Sequence, residues 1–139
     1  SNLETINFLI EAGANVNATD TTGITPLHQA SKYKDLEEVK ILIEAGANVN
    51  ARTSTFEETP LHKASRAHMY YDNPELIKSN PSVKVVKTLI EAGAETKVKD
   101  SNNCTPYHVA KYNKKTSDIR KVLDKYGGEL IYRESNIPC

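Results

Sequence analysis

Two short strings, Thr25-Pro26-Leu27-His28 and Leu42-Ile43-Glu44-Ala45-Gly46-Ala47, open and close one unit of this chain. Thr25 can cap a helix through its hydroxyl, and Pro26 suits the first turn, where a missing N–H costs nothing. Ala30 is small enough to let a second helix approach. Leu36, Val39, Leu42 and Ile43 then recur at helical spacing, which predicts a second helix with that face buried. Gly46 can adopt the positive φ that ends a helix. Val49 and the polar residues after it, with Gly23 at the matching tip, predict an extended hairpin finger leading to the next Thr-Pro.

Both strings return. Leu9-Ile10-Glu11-Ala12-Gly13-Ala14 precedes the Leu42 copy by 33 residues, and Leu89-Ile90-Glu91-Ala92-Gly93-Ala94 follows it by 47. Thr59-Pro60-Leu61-His62 and Thr105-Pro106-Tyr107-His108 repeat the opening at steps of 34 and 46. A unit of finger, helix, turn and helix cannot bury its apolar face alone, so neighbours must stack. On this period, opening and Gly-Ala ending, residues 3–128 resemble the ankyrin repeat family. The resemblance implies an all-α repeat solenoid of helix-turn-helix units joined by β-hairpin fingers, as a single domain.

Placing the strings on the chain predicts a half repeat over 3–19 and repeats over about 20–53, 54–99 and 100–128, with a tail at 129–139. The second finger is one residue longer than the first and has Glu57 where the tip glycine would fall. Thr59 to Leu89 spans 30 residues against 17 from Thr25 to Leu42, so an insertion lies near 68–80. Within it Asn73-Pro74 starts a capped helical turn, and Asn80-Pro81-Ser82 restarts the second helix. Gly127-Gly128 is expected to close the last helix. The half repeat leaves Ile6 and Phe8 without a preceding unit.

The composition suits a folded domain: 139 residues, 38% hydrophobic and 26% charged. No apolar run approaches the ~18 residues of a membrane span. The start carries no basic stretch and apolar core of a signal peptide. Met69 is the sole methionine, so residue 1 is not expected to be a natural initiator. Two cysteines, Cys104 and Cys139, are too few for a disulfide scaffold, and Cys139 stands too late for a prenylation box. A reducing compartment, the cytoplasm, is the simpler reading; a secreted effector acting in a host cytosol would look the same. Net charge is zero but divided. Residues 1–77 hold 6 Lys/Arg and 11 Asp/Glu, whereas 78–125 hold 11 and 5. In a linear stack this becomes an end-to-end polarity.

Candidate chemistry is sparse. Three of the four histidines sit in the Thr-Pro openings, spaced along the stack rather than converging as a metal would need. Cys104 stands four before His108, but its counterparts Ile24 and Glu58 mark a variable slot, and no orienting acid is evident. No glycine loop suits a phosphate, and no carboxylate pair suits acid–base work. Neither a catalytic residue, a metal nor a cofactor is expected. Lys111, Lys114, Lys115, Arg120, Lys121 and Lys125 form a basic cluster that is read as a solvated helix pair ahead of a nucleic-acid site.

The resemblance implies a protein-binding module, expected to be monomeric, whose partner is another protein engaged by the concave face and finger tips. Carried over by position, that face includes Ile24, Lys32 and Tyr33 in the first full repeat, with Thr21 and Thr22 at its finger. Arg52 stands at the end of that repeat, Phe56, Glu58 and Arg66 follow in the second, and Asn102, Tyr112 and Asn113 in the third. Phe56 at a finger tip, and Tyr33 and Tyr112 just past the first helices, supply rings of the kind enriched at interfaces. Met69, Tyr70 and Tyr71 in the insertion could extend that face. The alternative is a targeting or substrate-recruiting ankyrin segment of a larger enzyme or secreted effector.

Overall fold

The computed structural model describes residues 2–66, 80–110 and 117–128. Seven α-helices lie among them: α1 (Asn2–Glu11), α2 (Pro26–Lys32), α3 (Leu36–Glu44), α4 (Pro60–Ser65), α5 (Pro81–Glu91), α6 (Pro106–Ala110) and α7 (Ser117–Leu123). They form two rows. Helices α2, α4 and α6 pack side by side, α1, α3, α5 and α7 make the second row, and each of α2, α4 and α6 lies on the helix that follows it. This is the expected ankyrin stack.

The repeated strings are repeated hydrogen bonds. Thr25 and Thr59 sit in extended backbone, and each hydroxyl accepts the amide of His28 or His62, with proline at the first helical position. At the other end Gly13, Gly46 and Gly93 have φ of 90°, 93° and 100°, and the alanine after each donates back to Leu9, Leu42 or Leu89. Asp35 and Asn80 cap α3 and α5. Asn17 and Asn50, also 33 apart, tie successive turns together. Asn17 accepts the Asn48 amide and donates to the Gly46 carbonyl, and Asn50 does the same with Glu95 and Gly93.

Between the rows lies one core. Leu27 and Leu61 from one row meet Val39, Leu42, Val85, Val86 and Leu89 from the other, and all are buried. Each buried aliphatic side chain contributes roughly 1.5–3 kcal/mol. Ala30, Ala64 and Ala110 keep the closely packed row close. At the N-terminal end the same positions are open. Leu9, the counterpart of Leu42, is 49% exposed against 3%, and Phe8 is 69% exposed.

Three details differ from the sequence reading. The fingers form turns rather than strands among the described residues, each closed by a bond such as Asp20 N–H to Ile24 O or Thr53 N–H to Glu58 O, too short a span for a ladder. Gly127 and Gly128 lie within a π-helical turn, Asp124–Gly128, that extends α7 rather than following it. The inserted residues before Asn80, with the turn at Asn73, lie outside the described residues, as does the tail. No described helix is long and apolar enough to cross a membrane.

Candidate functional site

Fingers and first-row helices are positioned by one relay. In repeat two (residues 20–53, the half repeat being repeat one), His28 Nδ1 accepts the Thr25 amide and hydroxyl, so the ring carries its proton on Nε2, which donates to the Glu58 carbonyl of the next finger at 2.9 Å. His62 repeats this with Thr59 and the Cys104 carbonyl at 2.8 Å. Burial is the main force holding both rings below the usual histidine range. Both nitrogens of each ring are spent on the fold, which leaves no lone pair for a metal. Finger-to-finger bonds complete the frame: Ser54 N–H to Thr22 O, and Ser101 N–H to Phe56 O, both 2.9 Å.

The Asp20 carboxylate organises the first finger, accepting the Thr22 hydroxyl and the amides of Thr22 and Ile24, and these bonds hold it below the usual carboxylate range. In the last finger the Asp100 carboxylate accepts the amides of Asn102 and Cys104. The longer middle finger has Thr53 there instead, its hydroxyl accepting the Glu58 amide. The tip residues Gly23, Glu57 and Asn103 all take positive φ.

On this frame Tyr33 and Phe56 are 58% and 54% exposed. The Lys32 ammonium lies 5.4 Å from the Tyr33 ring centroid, a cation–π contact. Arg52 is exposed and bonds the carbonyls of Glu57 and Lys99, tying adjacent fingers. Asn102 and Arg66 are exposed and line one cleft between repeats three and four, while Ile24 is half-buried. Glu58 departs from the expected surface. Its side chain is 5% exposed, turned inward to pair with Lys63 at 2.7 Å and with Arg66, because the slot before Thr59 faces its own helix. Tyr112 and Asn113 lie outside the described residues, as do Met69, Tyr70 and Tyr71. Lys111, Lys114 and Lys115 are outside them too, which leaves Arg120, Lys121 and Lys125 of the basic cluster on α7 and its π turn.

Two further buried residues bear on the chemistry of the site. Cys104 is buried with no free thiol, and its carbonyl receives His62, so it is no nucleophile. Lys34, buried at φ 59°, sends its amine to the carbonyls of Lys63 and Ala64, capping the end of α4 where the chain turns away at Arg66. Desolvation draws that amine down to about 7. A lysine between a helix end and an N-cap gives no sequence signal that it points inward.

The family model described as "Ankyrin repeats (3 copies)" matches residues 1–79. No curated protein matches the chain. The described helices beyond residue 79 continue the same two rows through Leu123. With more than half its length matched and the Thr-Pro-x-His relay running between repeats, the chain belongs to the ankyrin repeat family.

Proposed function

We propose that this domain binds a partner protein through its finger tips and first-row helices, with Phe56 and Tyr33 as aromatic anchors. Ankyrin repeats are in general protein–protein interaction modules. The observation that carries the reading is that two large rings besides Phe8 of the open N-terminal end, Tyr33 and Phe56, are left more than half exposed beside the bonded fingers. Burying such rings drives association, and a preformed surface loses little entropy on docking. The function is passive recognition, with no chemical step.

The test is a split outcome. Phe56→Ala and Tyr33→Ala should each leave the melting temperature nearly unchanged while weakening capture of a partner from lysate, by ~2 kcal/mol of affinity for a true anchor. Earlier melting would make the ring a packing residue. Unchanged capture by both variants would move the interface elsewhere.

A further inference from the structure

A cleft of about 280 Å³ opens between repeats three and four, lined by Arg66, Asp100, Asn102, Cys104 and Val109. Its polar groups exceed what the fold uses. Arg66 spends one nitrogen on Glu58 and keeps further N–H donors. Asp100, itself only 6% exposed, uses Oδ1 for the amides of Asn102 and Cys104, which leaves Oδ2. The Asn102 carboxamide enters no bond within the finger, which uses only main-chain groups of that residue.

Charge around the cleft is balanced. Its lining carries one cation, Arg66, and one carboxylate, Asp100. An anion entering would meet Asp100, and a cation would meet Arg66; either would be desolvated against a like charge. A neutral group that both donates and accepts suits every wall, with Val109 as an apolar side. Ser101, between the two cleft residues Asp100 and Asn102, donates to the Phe56 carbonyl. The cleft therefore adjoins the finger that presents the exposed ring. The preceding seam has no such cleft chemistry. There Thr53 stands for Asp100, Lys32 for Arg66, and the Glu58 side chain occupies the slot of Cys104.

We propose that this cleft receives the carboxamide of an Asn or Gln side chain on an extended segment of the partner protein, with a neighbouring apolar side chain against Phe56. The proposal rests on the binding face described above and names what that face reads. A library of random linear peptides displayed on phage, panned against the purified domain, tests it. Enriched peptides should carry an apolar residue near Asn or Gln, and their affinity should be insensitive to salt. Asn102→Ala should weaken the best peptide about tenfold or more, and Arg66→Lys should weaken it at an unchanged melting temperature. Enriched peptides that depend on Phe56 but not on Asn102 or Arg66 would overturn the cleft while leaving the binding face intact. Acidic or basic peptides with steep salt dependence would also overturn it, and a steeply salt-dependent gain for single-stranded DNA would point to nucleic acid instead. If no peptide is enriched, or none depends on Phe56 or Tyr33, the binding face itself fails.

Discussion

The seam between repeats two and three and the seam between repeats three and four share a skeleton and differ in their filling. In both, a histidine crosses to the carbonyl before the next Thr-Pro, and one finger donates an amide to its neighbour. At the first seam Glu58 fills the slot before Thr59, its carboxylate drawn in between Lys63 and Arg66, and Lys34 reaches over to cap α4. At the second the slot holds Cys104, and a cleft stays open. Backbone bonds thus set the stack, while the slot before each Thr-Pro sets how the seam is filled.

The largest effect should come from the residue both seams share. Leu61 is fully buried on α4, which packs against α2, α5 and α6. Leu61→Ala should lower stability by ~2–5 kcal/mol, measured by urea denaturation, in one transition. Two separate transitions would mean that the seams unfold as independent units.

The next effect distinguishes the finger tips. At Gly23 a Cβ would lie 2.7 Å from the Ser54 backbone nitrogen, and φ is +78°. Gly23→Ala should therefore cost left-handed strain and disturb the Ser54–Thr22 bond, roughly 2–3 kcal/mol together. A loss confined to the first seam would appear as faster amide exchange at Ser54 with Ser101 unchanged.

How much of this was legible beforehand follows from the same residues. The helices, their caps and the stacking were readable because Thr-Pro-Leu-His and Leu-Ile-Glu-Ala-Gly-Ala each encode a local bond that recurs with the period. The short turns in place of hairpins were not, since a strand needs a second rung that finger length alone does not reveal. Neither Glu58 nor Lys34 was readable as buried. Each is a charged residue in a variable position, and its inward turn depends on partners contributed by α4. The cleft depends on Asp100 and Arg66 meeting from different repeats, a juxtaposition that only the stacked structure provides.

Changes in pH should separate the seams more gently. His28 and His62 are both held below the usual range, so the unfolded chain takes up protons first as pH falls below 6.5. Both seams should lose stability in acid. Lys34 acts only at the first seam. Its amine titrates at about 7 in the folded chain against 10.5 ordinarily, so the unfolded chain holds the extra proton between those values. Stability from this group should then rise as pH climbs from 7 towards 10.5. The neutral amine keeps two N–H donors, enough for the carbonyls of Lys63 and Ala64. Lys34→Met should erase the alkaline rise and leave the acid loss, as followed by denaturation at a series of pH values. A rise that survives the substitution would assign it to another group.

The smallest effect is expected at Glu57, the counterpart of Gly23 one repeat on. Its φ of 51° costs a non-glycine residue ~1 kcal/mol, which Glu57→Gly would relieve. The same change removes an exposed ion pair with Arg52 at 3.8 Å, a contact of about 0–1 kcal/mol. The two terms oppose, so the melting temperature should barely move. The first tip thus needs glycine, because a Cβ there would meet Ser54, whereas the second tip already carries a side chain at positive φ. A clear destabilisation by Glu57→Gly would mean that the Arg52–Glu57 contact, with the bonds of Arg52 to the carbonyls of Glu57 and Lys99, sets the shape of the finger beneath Phe56. In that case Glu57→Gly should also weaken whatever binding Phe56→Ala weakens.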